Sequence, residues 1–142
     1  MPKEKYISQW SLTLLRLYLG VMFAFHGYMK LFVAGALPAT VSFFSQVGIP
    51  MANYSAVLVA FIEFFGGLLL IVGVFTRFSV LVLLVEMLVA FLTVHLQAGF
   101  FISPKSYGYE FILLIITSLI IILLNGAGKV SLGKLFKNKA LH

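Results

Sequence analysis

The chain has 142 residues, of which 62% are hydrophobic and only 10% charged, with a formal net charge of +6; its mean hydropathy is +1.12. A water-soluble domain of this size could not hide so much apolar surface, so composition places residues 1–142 in the membrane class as a single domain. Cysteine is absent, which excludes disulfides, thiolate-held iron–sulfur clusters, covalent c-type haem and cysteine redox chemistry within this chain.

Four apolar runs approach the ~20 residues that a bilayer core demands of a helix. The first, about 9–32, has a competing reading as a secretory signal, because Met1 to Lys5 is charged and Ala34-Gly35-Ala36 resembles a cleavage site. Its length and the presence of Arg16 favour a membrane span. The connection LPATVSFFSQVGIP then sets Pro38 at a helix start, Val41, Phe44 and Val47 at helical spacing, and Gly48 and Pro50 as a stop. A short amphipathic helix at the outer membrane interface is expected there. Runs at about 54–75 and 78–97 flank a turn of a few residues around Thr76-Arg77 and predict a tight antiparallel helical hairpin. The short connection AGFFISPKSYG leads to a fourth run at about 108–125. The basic tail, 126–142, alternates lysines with Val130, Leu132, Leu135 and Phe136, which suits either the inner leaflet surface or a frayed, solvated end. The expected fold class is all-α: an antiparallel four-helix transmembrane bundle with a short interfacial helix between spans 1 and 2.

Orientation follows from the basic residues. Lys3, Lys5, Arg77, Lys129, Lys134, Lys137 and Lys139 fall on one side and Lys105 alone on the other, so both termini are expected in the cytoplasm. The positive charge then reflects topology and contact with anionic lipid; no basic face with interleaved aromatics suggests nucleic acid.

Seven ionisable side chains fall within the predicted spans: Arg16, His26, Lys30, Glu63, Glu86, His95 and Glu110. A charge at bilayer depth costs ~2.5–3.5 kcal/mol on the insertion scale, so these groups must compensate one another. Counting ~1.5 Å per residue from each span's midpoint sets Glu63 and Glu86 near the midplane, with His26, His95 and Glu110 ~8–11 Å outward. An inner tier is expected in which Arg16 pairs with Glu86, Glu63 or both, the alternative being that Arg16 snorkels to the cytoplasmic surface. In an outer tier, His26 and Lys30 share a helix face and can meet Glu110 or Glu63; snorkelling to the headgroups is the alternative for Lys30. Glu86 and His95, nine residues apart, lie on opposite faces of an ideal helix, whereas Glu86, Ala90, Thr93 and Gln97 share one. His95 therefore looks elsewhere unless the helix is distorted or ends before it.

The segments RLYLGVMFAFHGYMKLF, FFSQVGIP, IEFFGGLLLIVGVFTR, EMLVAFLTVHLQAGFF, GYEF and GAGKVSL, in this order and spacing, resemble the DoxX family of small bacterial and archaeal membrane proteins. Two departures are visible: Gly133 stands where the family commonly has aspartate, and Ala127 where the family often has proline between the glycines. The resemblance implies a multi-pass protein of a bacterial or archaeal cytoplasmic membrane. It also implies kinship with a subunit of a thiosulfate:quinone oxidoreductase and with members linked to quinone stress and membrane-associated oxidoreductase complexes. Arg16, His26, Lys30, Glu63, His95 and Glu110 match the family's polar pattern.

Two functions are in view. In the first, the chain is a quinone-linked redox subunit whose cofactor-binding residues are His26, Lys30, Glu63, His95 and Glu110, with Arg16, Glu63 and Glu86 as a structural ion pair. A quinone needs an apolar slot, hydrogen-bond donors at its carbonyls and a nearby protonatable group. In the second, the chain is a non-catalytic membrane scaffold whose surface docks oxidoreductase partners and whose buried polar groups serve packing alone. No nucleotide-binding glycine motif, nucleophile-and-base pair or close-spaced metal-ligand motif is present, so for redox chemistry a bound quinone or a partner subunit must provide the electron carrier.

Overall fold

The computed structural model describes residues 3–103 and 106–133. Lys105 and the tail lysines Lys134, Lys137 and Lys139 lie outside the described residues, as does the expectation for the tail beyond 133. In chain order the elements are α1 (Lys3–Phe32), α2 (Ala36–Gln46), α3 (Ala52–Val72), α4 (Thr76–Ala90), a π-helical segment (Phe91–His95), a 3-10 turn (Leu96–Ala98), a two-residue hairpin of β1 (Ile102–Ser103) and β2 (Ser106–Tyr107), and α5 (Glu110–Asn125). A helix thus forms where the first connection predicted one. The hairpin, antiparallel with Ile102 opposite Tyr107, has no counterpart in the predicted elements.

Three stretches, Ile7–Phe32, Ala52–Val72 and Thr76–Ala98, are long and apolar enough to cross a membrane. α5 is equally apolar but shorter; its 16 residues reach about 24 Å, against a hydrocarbon core of about 30 Å. Large apolar side chains point outward along every long helix, among them Leu14, Phe25, Leu58, Leu92 and Leu124, an exterior suited to acyl chains and costly in water.

The tightest packing joins α1 to α3. Gly20 lies against Gly67 and Ile71, Ala24 against Gly67, and Gly27 against Phe64. Numbers rising on α1 meet numbers falling on α3, so the two helices are antiparallel. A Cβ on Gly27 or Gly67 would overlap the opposing backbone; small residues are what allow such an approach between helices in lipid. α4 returns along α3, with Leu83 beside Gly66, after a turn in which Gly73 takes a left-handed conformation (φ 74°) and donates its N–H to Leu69 O. α5 packs mainly on α4. Leu19, Phe23, Leu70, Leu83, Leu119 and Ile122 form the centre of the apolar core.

The end of the molecule that holds Arg16 corrects two expectations. Arg16 is 1% exposed and pairs with neither Glu63 nor Glu86. Its Nε donates to Ala127 O at 2.9 Å, its Nη1 to Leu70 O and to Ile71 O at 3.1 Å, and its Nη2 to Val130 O at 2.6 Å. The reason lies in unpaired carbonyls: the last turn of α3 leaves its C=O groups without helical partners, and the chain after α5 folds back with more. A planar guanidinium with five donors can serve both at once. Arg16 also sits at the level of Gly73, ten residues and about 15 Å along α3 from Glu63.

Residues 126–133 are accordingly not frayed but docked on the helices. Thr13 Oγ1 accepts the N–H of Lys129 at 2.8 Å and that of Val130 at 3.3 Å, and Gln9 O accepts the N–H of Lys129. Ser131 Oγ donates to Gly73 O at 2.6 Å, and the N–H of Gly133 reaches the same oxygen at 3.1 Å. At Gly133 the backbone makes this contact, so the segment docks without the aspartate.

Two outcomes test this architecture in detergent-purified protein. Gly27→Ala should lower unfolding stability by about 1–3 kcal/mol through overpacking, whereas Gly66→Ala, whose added Cβ would sit 3.4 Å from Leu83, should be near neutral. Arg16→Leu strips a partner from four carbonyls, two of them fully buried, and should cost at least about 3 kcal/mol. Its amide hydrogen exchange should accelerate selectively over residues 126–133, with Arg16→Lys intermediate because a single ammonium cannot span both segments.

Candidate functional site

At the opposite end, the C-terminal half of α1, α2, α3, α4 and the π segment line a half-open cavity of about 890 Å³, within the ~300–1,000 Å³ usual for ligand pockets. Most of its wall is apolar, with Phe43 and Phe44 from α2, Leu58 and Ile62 from α3, and Val85 and Val89 from α4. α2 buries none of its own residues and meets the cavity through its two phenylalanines.

The polar part is assembled by helix register. Because Gly27 brings α1 onto Phe64, Lys30, three residues further on, reaches Glu63, and the two form a salt bridge. Both belong to the cavity wall, and the Glu63 side chain is only 7% exposed. Of the alternatives open for Lys30, the structure takes the Glu63 partner. The contact of Leu83 with Gly66 acts in the same way: three residues from it on each helix, Glu86 comes up beside Glu63, within electrostatic reach of both Glu63 and Lys30. Glu86 Oε2 is buried and has no hydrogen-bond partner.

His26 stands on the same wall, at the exposed side of α1, and His95 joins it from the π segment. Glu86 and His95 would diverge on an ideal helix; the wider turn over Phe91–His95 changes the angular step, and both residues line one cavity with Ala90 and Thr93 between them. Gln97, expected on the Glu86 face, lies beyond this turn and outside the wall. Thr93 Oγ1 donates back to Val89 O at 2.8 Å. π-turns inside α-helices recur at functional sites because they re-aim side chains at a cost in backbone regularity.

Glu110 is a correction. It is absent from the cavity wall, and its Oε1 accepts the N–H of Ile102 at 2.9 Å. The acid opens α5, where the helix dipole favours negative charge, and the adjacent chain is pinned by Tyr109 N–H to Gly99 O and Glu110 N–H to Phe100 O. Glu110 therefore organises the hairpin and does not join His26, Lys30 and His95. Among the described residues, no three His, Cys, Asp or Glu side chains gather as metal ligands.

Of the residues predicted to bind a cofactor, the structure thus brings together His26, Lys30, Glu63 and His95, adds Glu86 and removes Glu110. The partners of Arg16 were missed: Leu70, Ile71, Ala127 and Val130 look unremarkable as letters, and a carbonyl acceptor leaves no trace in side-chain identity.

Comparison with known proteins agrees with this architecture. The DoxX family profile matches residues 11–96. An "Uncharacterized protein" of Haemophilus influenzae is 34% identical over 137 residues, covering 96% of this chain and 97% of its own. "Putative oxidoreductase CatD" of Bacillus subtilis is 32% identical over 106 residues, 75% of this chain and 72% of that protein. A second H. influenzae "Uncharacterized protein" is 41% identical over 69 residues, 49% of this chain; the match spans only 44% of that relative's length. No solved structure matches. With the profile covering more than half of its length and two relatives aligned over most of theirs, the chain belongs to the DoxX family of membrane proteins.

Proposed function

We propose that this protein is a quinone-linked redox subunit of the cytoplasmic membrane: four spans with both termini inside, α2 at the outer interface, and a lipid-soluble ligand held between α2, α3 and α4. The observation that carries this reading is the cavity itself, an apolar chamber of about 890 Å³ ending on Lys30, Glu63, Glu86, His26 and His95. A lone structural ion pair would need no chamber beside it. The residues fit a quinone head group: the apolar wall accepts a ring and an isoprenoid tail, imidazole and ammonium N–H groups are carbonyl donors, and Glu86 supplies a carboxyl-bearing residue to the same wall.

A bound quinone would supply the two-electron, two-proton carrier that the chain's own residues lack. His26 and Lys30 would orient its head group; of the three N–H bonds of Lys30, one goes to Glu63 and the others are free to turn toward the chamber. The Lys30–Glu63 pair holds the polar end in one geometry, while Phe43 and Phe44 shield it from water. Electrons would pass to or from an oxidoreductase partner, in keeping with the name of the B. subtilis relative. The basic termini would hold the protein to anionic lipid of the inner leaflet.

Mass spectrometry of lipophilic molecules extracted from protein purified in mild detergent should find a quinone, and a short-chain benzoquinone should bind in titration. His26→Ala should weaken that binding about tenfold, the worth of one hydrogen bond to the ligand. Unchanged affinity in the variant would remove His26 from the site. No quinone binding by the wild type would sink the redox reading and leave a scaffold that docks partners.

A further inference from the structure

The cavity does not stay inside the bundle. At about 100° per residue, Leu58 stands about 140° round α3 from Glu63, while Leu81 and Val85 stand about 140° and about 100° round α4 from Glu86. All five residues nonetheless line the same cavity. A closed chamber in the interior would meet one face of each helix; a wall that includes both faces runs through the seam between α3 and α4. Exposure marks where it comes out: Leu58, Leu81 and Val85 are 60%, 50% and 55% exposed, against 5% for Glu63.

The depth of this opening decides what can use it. Val85 is about 14 Å from the start of Thr76–Ala98, a membrane-length stretch about 35 Å long, so the slot faces acyl chains and not water. Its sides are apolar and short: Val59 of α3 and Val82 and Val89 of α4 line the passage, where leucine or phenylalanine would reach across. The ionisable residues stand at the inner end and the valines and leucines at the outer one. The other way in, from the membrane surface, is walled by Phe43 and Phe44 of α2.

We propose that the slot between α3 and α4 is the entry route of the ligand and the subsite for its tail. A molecule dissolved in the bilayer enters head first, its ring reaching Lys30 and His26, while its apolar chain stays between Leu58 and Val85 and runs out among the lipids. This rests on the quinone reading and adds to it the ligand's class, a polar ring on one apolar chain, and the membrane as its source. A tail that leaves lipid for leucine and valine gains little affinity, because the two are equally apolar. The slot therefore acts by its width, and a side chain that fills it should shut the ligand out.

The test irradiates the full chain in phospholipid vesicles with a benzoquinone that carries a diazirine on its alkyl tail, with and without excess decyl-benzoquinone, and reads the labelled residues by peptide mass spectrometry. Label that the competitor removes should fall on Leu58, Leu81 and Val85. Label on Leu14 and Leu124, which face outward elsewhere, should persist. V85W and L58W each narrow the slot and should cut the removable label on the remaining slot residues about tenfold, the effect of overpacking a filled space. Both positions point outward, so the unfolding temperatures of the variants should stay near that of the wild type; a marked fall in both would make these packing residues and refute the slot. Removable label confined to Phe43 and Phe44, or unaltered by V85W and L58W, would overturn the side entry while the quinone reading stood. Removal by palmitate as effective as that by decyl-benzoquinone would keep the slot as an acyl-chain site and overturn the quinone head group. No removable label anywhere would overturn both.

Discussion

The close antiparallel contact of α1 with α3 is the constraint on which both ends of this protein depend. Gly20, Gly27 and Gly67 let the two backbones touch, and that approach fixes the height of every polar group on one helix relative to the other. At one end it sets Arg16 against the exposed carbonyls of α3; at the other it sets Lys30 against Glu63. A larger residue at Gly27 would strain the packing and also move the ammonium away from its carboxylate. Packing and electrostatics are here one device, because lipid offers no solvent to mend a mismatch in either.

The two ends use different chemistry to make charge tolerable among apolar helices. Arg16 makes four hydrogen bonds to backbone oxygens, with its guanidinium bridging the end of α3 and the returning segment after α5. Its effect is to tie residues 126–133 to the rest of the molecule. The Lys30, Glu63 and Glu86 group instead uses side chains alone and lines a cavity. A charge bound by main chain at one end and a charge cluster beside a cavity at the other separate a structural site from a candidate binding one more clearly than the presence of charge does.

Much of the fold was legible as letters. Apolar runs near the length of a bilayer core, the short turn around Thr76-Arg77, and Pro38 with Gly48 around a short helix all gave elements close to the observed ones. The candidate site was legible in its membership, since ionisable residues inside apolar runs are expensive and must serve something. Its pairing was not. Arg16 was matched to the carboxylates because side chains are what a sequence displays, whereas its actual partners are main-chain carbonyls that every residue carries alike. Glu110 was assigned to the His26 tier on depth alone; its true partner, the N–H of Ile102, arises from a hairpin too short to have a periodic signature.

The sequence by itself determined that the chain is a helical membrane protein, which residues of each span break its apolarity, and that thiol chemistry is excluded, because these follow from composition and the fixed 1.5 Å rise of a helix. Only the tertiary structure decided which polar groups meet. Two facts of three-dimensional packing control that outcome: the glycine-set heights of α3 against α1 and α4, and a π turn over Phe91–His95 that carries His95 round to the wall of Glu86. Angular position along an ideal helix is computable from spacing, but a widened turn and the depth at which two helices seat depend on side-chain fit across the interface, which no single strand of letters contains.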